Sequence, residues 1–125
     1  MAEKQSDENR LIEIFTDGSS RGNPGPGGFG VILRTDGHYK EMSQGYRKTT
    51  NNRMELLAVI AGLDALKIPG SSVLVWSDSK YVVDAVEKGW VFNWRQKGFA
   101  GKKNADLWKL FLIVYARHKV RFRWI

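Results

Sequence analysis

Three acidic side chains stand where the pattern of the chain puts chemistry: Asp17, Glu55 and Asp78. Asp17 follows the strand-like run Leu11-Ile12-Glu13-Ile14-Phe15-Thr16, and Asp78 follows Ser72-Val73-Leu74-Val75-Trp76 by one residue. Glu55 lies at the opening of a helical segment, on the side shared by Val59, Gly62 and Leu66, where a carboxylate is partly desolvated. In open α/β sheets, sites form at the carboxyl ends of strands. If the strands before Asp17 and Asp78 are parallel neighbours, the two aspartates sit side by side, and a helix crossing there adds Glu55. Three carboxylates in one patch repel one another unless a divalent cation neutralises them. The constellation offers neither His nor Cys, so its all-oxygen donor set suits Mg²⁺ or Mn²⁺ rather than zinc. Taken singly, each aspartate is also a turn-initiating residue after a strand, and Glu55 also complements a helix dipole or a capping pattern with Asn52. It is the three together that point to a metal.

The elements needed to position these groups can be read in order. The run Leu11–Thr16 predicts a strand ended by Asp17-Gly18-Ser19, and the Gly- and Pro-rich stretch from Arg21 to Gly28 predicts a turn. Gly25, Gly27 and Gly30 satisfy a dinucleotide-binding spacing, but Phe29–Arg34 reads as a strand, so no helix N-terminus follows to face a pyrophosphate. Asp36-Gly37 predicts a hairpin, with Tyr39 to Tyr46 returning. Thr50 and Asn52 are capping residue types, and Leu56, Val59, Ile60, Leu63 and Leu66 recur at helical spacing up to the Pro69-Gly70 break. The apolar run over residues 72–76 predicts a strand buried on both faces. A helix from Ser79 through Val86, a short segment between Gly89 and Gly98, a helix from Asp106 to Ala116 and an alternating strand from Lys119 to Trp124 complete the chain. A three-stranded meander followed by strand–helix–strand alternation implies a mixed sheet with helices packed on it.

Composition sets the bounds. A chain of 125 residues with 42% hydrophobic content predicts one folded domain over residues 10–125 after a polar tail, residues 1–9. No apolar run approaches the ~20 residues of a membrane span, and the polar N-terminal residues read as neither signal nor anchor. The absence of cysteine fits a reducing, cytoplasmic compartment. A net charge of +7 favours an anionic partner, nucleic acid before membrane surface.

Four motifs, Thr16-Asp17-Gly18-Ser19, Asn23-Pro24-Gly25, Thr49-Thr50-Asn51-Asn52-Arg53-Met54-Glu55-Leu56 and Ser77-Asp78-Ser79, closely resemble bacterial type I ribonuclease H, in register from about Ile12 to Trp124. The resemblance implies a ribonuclease H-like α/β fold with a five-stranded mixed sheet of order 3-2-1-4-5. It implies cleavage of the RNA strand of RNA–DNA hybrids, leaving 5′-phosphate and 3′-hydroxyl ends. Asp17, Glu55 and Asp78 then occupy metal-ligand positions, with two divalent ions about 4 Å apart clamping the scissile phosphate. Asn23, Asn51 and Asn52 would meet the minor groove and its 2′-hydroxyls. Lys48, Thr50 and Asn104 match a pocket for a phosphate of the DNA strand. The segment with Trp90, Trp94, Arg95, Lys97, Lys102, Lys103 and Lys109, with Asp106 as its one acid, resembles the basic protrusion that grips the hybrid. Without the family, the same segment also reads as a solvated basic face with its Trp residues packed beneath.

The family pattern continues past the last strand with a histidine-bearing loop and a helix carrying a fourth carboxylate. The sequence ends at Ile125, so neither is assigned. The expectations that follow are lower activity or a stronger Mn²⁺ preference, and association through an uncovered sheet face where the family is monomeric. Two other readings compete with the nuclease: a catalytically weak or silent hybrid-binding module, and another nuclease or strand-transfer enzyme using the same acidic triad.

Overall fold

A computed structural model describes residues 10–125; the tail expected over residues 1–9 lies outside the described residues. Strands β1 (Leu11–Ser20), β2 (Gly25–Thr35) and β3 (His38–Thr49) form an antiparallel meander. Helix α1 (Asn51–Asp64) leads to β4 (Ser72–Ser77), and α2 (Lys80–Glu87), α3 (Trp90–Gln96) and α4 (Ala105–Tyr115) precede β5 (Lys119–Trp124). The sheet order is β3-β2-β1-β4-β5, with β1 parallel to β4 and β4 parallel to β5. This is the order the family resemblance implies. Asp36 and Gly37, both at positive φ, form the two-residue β2–β3 turn that their types predict.

Residues alternate along the strands because the described helices cover one face. Ile14, Val31, Leu33, Val73, Val75, Val120 and Phe122 are buried, whereas Phe15, Leu74 and Trp76 are only partly covered. The expectation that β4 is buried on both faces is therefore corrected. Helix α1 packs on β1 and β2, and α2 packs on β4 and β5, leaving the alternate residues of β4 half open. On that second face Phe15 and Trp76 stack with ring centroids 6.2 Å apart, and Glu13 accepts hydrogen bonds from both Arg34 and the Trp76 indole.

Helix α1 starts where a side chain can satisfy its free N–H groups. Thr50, in extended conformation, accepts a hydrogen bond from the Arg53 N–H, while Asn52 lies inside the first turn rather than at the cap. Beyond the cap, Met54, Leu56, Ala58, Val59 and Leu63 are all buried, because α1 is covered by the sheet and by α2 and α4. Each such aliphatic side chain contributes roughly 1.5–3 kcal/mol when fully removed from water. Close approach to β1 needs Gly62, where a Cβ would lie 2.8 Å from Ile14 Cγ2. An aromatic series closes the other end of the core: Trp94 meets Trp108, Trp108 meets Phe111, and Phe111 meets Phe122, at centroid distances of 5.7, 5.4 and 6.0 Å. It ties α3, α4 and β5 together.

Candidate active site

Asp17 owes its place to unequal pairing on the two sides of β1. Toward β4 the ladder ends at Phe15↔Trp76, but toward β2 it runs on through Asp17↔Gly30 to Ser20↔Gly27. The sequence expectation that Asp17-Gly18-Ser19 ends the strand thus holds only on the β4 side. The continuing ladder with β2 keeps Asp17 extended while its β4 side lies open. Just before the opening, the Thr16 hydroxyl donates to the Trp76 carbonyl at 3.2 Å, joining the two parallel strands. Asp78 follows the last residue of β4. Its loop is fixed by the Ser79 N–H donating to Ser77 Oγ at 3.0 Å, and by Ser79 Oγ, which caps α2 by accepting from the Val82 N–H. The Trp124 indole donates to the Asp78 carbonyl at 3.2 Å.

Glu55 reaches the same patch from α1, and Gly18 allows it to do so. A Cβ at Gly18 would stand 2.5 Å from the Met54 carbonyl carbon and 2.7 Å from the Glu55 nitrogen, so the first turn of α1 rests directly on the β1 backbone. The Gly18 N–H donates to Glu55 Oε1 at 2.6 Å. One oxygen from each of Asp17, Glu55 and Asp78 lies within 4.8 Å of the others. The two aspartates are exposed, and Glu55 is only 4% exposed. Burial, then the hydrogen bond to Asp78 and the neighbouring negative charges, push the Glu55 carboxyl up to about 8 against the stabilising Gly18 N–H. At neutral pH the cluster by itself therefore keeps Glu55 protonated. An all-oxygen set of three carboxyl groups, one of them strained toward neutrality by its neighbours, fits a hard divalent cation.

The residues expected to touch nucleic acid flank this patch. Asn51 and Asn52 are the exposed first two residues of α1, and exposed Lys48 lies near the end of β3. Asn23 is exposed in the β1–β2 turn, which the Gly25↔Thr49 pair draws toward the start of α1. Thr50 caps α1, and Asn104 precedes α4 in left-handed conformation, φ 62°. The side chain of Arg53 joins these two helix starts, because it donates to Asn104 Oδ1 at 3.2 Å and to both oxygens of Asp106 at 3.1 and 2.9 Å. The basic segment combines both readings considered for it. Trp94 packs edge-on against the buried Trp108 while Lys102 Nζ lies 5.1 Å over its ring, and Lys88 lies 5.3 Å over the exposed Trp90. Lys97 and Lys103 are exposed. Of the histidines, His38 is exposed at the start of β3, and among the described residues neither ring nitrogen of half-buried His118 has a hydrogen-bond partner.

Sequence reasoning passed over the roles of Gly18, of Arg53 and of Tyr81, whose hydroxyl accepts hydrogen bonds from Asn104 Nδ2 at 3.2 Å and from the Trp108 indole at 2.9 Å. Gly18 carries a signal, since it follows an acidic strand residue. Arg53 lies within the motif Thr49–Leu56, but the partners of its side chain, like those of Tyr81, lie far along the chain and leave no local pattern.

Comparisons with known proteins identify the family and the fold. The sequence model of the RNase H family matches residues 9–125. A protein named ribonuclease H from Desulforamulus reducens is 47% identical over 130 residues, covering 100% of this chain and 81% of that protein. A ribonuclease H from Trichodesmium erythraeum is 48% identical over 130 residues, with 100% and 80% covered. Among solved structures, LC9-RNase H1, a type 1 RNase H with the type 2 active-site motif, superposes with a TM-score of 0.83 at 30% identity, over 94% of this chain and 63% of that one. LC11-RNase H1, solved in complex with an RNA/DNA hybrid, gives a TM-score of 0.68 at 28% identity, over 91% and 84%.

Proposed function

The chain belongs to the ribonuclease H family, and from that premise we propose that Asp17, Glu55 and Asp78 are the carboxylates with which it hydrolyses the RNA strand of RNA–DNA hybrids. The observation that carries this assignment is the convergence of their oxygens within 4.8 Å, with Glu55 buried on α1.

The three carboxylates would hold divalent cations, Mg²⁺ in the first place and Mn²⁺ as the alternative. When bound, such ions lower the pKa of a water and neutralise charge on the phosphate and the departing 3′ oxygen. The chain supplies the rest. With a cation in place Glu55 would release its proton to solvent, and the Gly18 N–H, which donates to its Oε1, would hold the ionised oxygen in position. A water oxygen adds to phosphorus as the P–O3′ bond breaks; the water releases one proton to solvent and the departing 3′ oxygen takes one up from solvent, leaving 5′-phosphate and 3′-hydroxyl ends. Asn23, Asn51 and Asn52 meet the minor groove, where an amide hydrogen-bonds a 2′-hydroxyl and so separates RNA from DNA. Lys48, Thr50 and Asn104 take a phosphate of the DNA strand. Trp90, Trp94, Lys97, Lys102 and Lys103 add salt-sensitive, sequence-independent grip. A relative solved with an RNA/DNA hybrid supports the substrate class.

The deciding experiment offers labelled RNA–DNA hybrid, duplex DNA and duplex RNA to the chain, with Mg²⁺, Mn²⁺ or EDTA. Cation-dependent cuts confined to the RNA of the hybrid are expected. Asp78→Asn should lower the rate on the order of 10³-fold, the scale of losing one group that stabilises transition-state charge, while hybrid binding persists. Cleavage that survives EDTA, or that Asp78→Asn leaves intact, overturns the assignment.

A further inference from the structure

We propose that Arg53 is a positioning residue that sets Asn104 for a nucleic-acid phosphate and fixes its distance from Thr50; the proposal rests on the hybrid-binding reading above. Asparagine is among the best helix N-caps, yet Asn104, at the N-cap position of α4, makes no side-chain capping bond. Both ends of its amide are used elsewhere. The oxygen accepts from Arg53 Nη1 at 3.2 Å, and Nδ2 donates to the Tyr81 hydroxyl at 3.2 Å. That hydroxyl is itself anchored by the indole N–H of the fully buried Trp108, at 2.9 Å. A guanidinium on one side and an anchored hydroxyl on the other permit a single orientation of the amide. The hydrogen bond to Tyr81 uses one N–H of the amide nitrogen, and the second is assigned to the phosphate.

Arg53 serves Thr50 through its other end, because its backbone N–H donates to Thr50 Oγ1 at 3.3 Å. One residue therefore holds both polar members of the expected phosphate pocket, and it stands two positions before Glu55. The fork onto both oxygens of Asp106, in the first turn of α4, fixes the orientation of the planar guanidinium, a contact that needs two parallel N–H groups. A lysine preserves the charge but not the fork. The result is a rigid link between the carboxylate helix and the residues that grip the opposite strand.

The test is a double-mutant cycle on hybrid cleavage with Arg53→Lys and Asn104→Ala. Arg53→Lys should raise KM about tenfold with kcat held, the scale of one charge-assisted hydrogen bond, and should add nothing in the Asn104→Ala background. Asp106→Asn, which leaves Arg53 in place, should shift KM in the same direction by less, so that a poorly folded Arg53→Lys does not stop the test. An equal rise in KM in both backgrounds would mean that Arg53 binds phosphate directly, and overturns the proposal. Substrate-free NMR gives a second readout: the Asn104 side-chain amide signals should move in Arg53→Lys, and unmoved signals also overturn it. If the unmutated chain neither binds nor cuts hybrid, the functional reading falls, while the NMR measurement still decides whether Arg53 orients Asn104.

Discussion

Replacing Gly18 with alanine tests how the site is held together, because it adds a single methyl group and removes no functional atom. The new Cβ would lie 2.5 Å from the Met54 carbonyl carbon, 2.6 Å from its oxygen and 2.7 Å from the Glu55 nitrogen, where ordinary contact begins at 3.4 Å. These neighbours are backbone atoms and cannot rotate away. The first turn of α1 must therefore retreat by about 0.9 Å, the difference between 3.4 and 2.5 Å, and it carries the Glu55 carboxyl with it. A misplacement near 1 Å costs on the order of 10²-fold in rate. Forcing a methyl group into a packed contact costs a further ~1–3 kcal/mol of stability. We expect kcat on labelled hybrid at saturating Mg²⁺ to fall by that factor, with a lower Tm. Gly45→Ala is the matched control, since its nearest neighbour would be the Gly27 oxygen at 3.8 Å. A Gly18→Ala protein with unchanged kcat and Tm would refute the view that backbone contact sets the position of Glu55.

Other consequences are open to measurement. The folded-state pKa of Glu55, about 8, lies above its ordinary value of 4.5, so the cation-free folded protein holds the extra proton between those limits. Its stability should therefore fall as pH rises from about 4.5 to 8, and Tm measured in EDTA should show that slope in the wild type and a flatter one in Glu55→Gln. By the same linkage, calorimetric cation affinity should strengthen with pH across this window. Ser79→Ala removes the cap of α2 and should cost about 1 kcal/mol, read from urea unfolding. Lys103→Gln should weaken hybrid binding at low salt and reduce the slope of log affinity against log salt by about 1, with no change in substrate preference.

The strand order followed from the family resemblance, whereas the β2–β3 hairpin and the last strand were legible in the residues themselves, because alternation and turn chemistry agree along those stretches. Asp36-Gly37 turns where its types demand, and Lys119–Trp124 alternates as read. The far end of β1 was not legible. Asp17-Gly18-Ser19-Ser20 carries no apolar alternation, and its partner residues in β2 include Gly27 and Gly28, which read locally as a turn although β2 begins at Gly25. Backbone pairing overrides that composition, since a ladder needs no side chains. Helix α3 was hidden between two glycines and is held by the packing of Trp94 on Trp108 rather than by its own propensity. In the site, the three acids could be named from their places at element ends. Their mutual support could not be, because Gly18 meets Glu55 across 37 positions and Arg53 meets Asp106 across 53. Contacts of that span leave no local pattern.

The burial of α1 also divides the three acids by mobility. Unwinding this helix would expose Met54, Leu56, Ala58, Val59 and Leu63 together, so its amide hydrogens should exchange with solvent only in openings close to global unfolding. Asp17 and Asp78, by contrast, have exposed side chains beyond the end of the β1–β4 ladder, and although the Asp17 backbone stays paired with β2, rotation of the side chain alone moves its carboxyl. On the proposed assignment, Glu55 is the stationary carboxylate of the three, and the side chains of the two aspartates are the ones free to adjust around it.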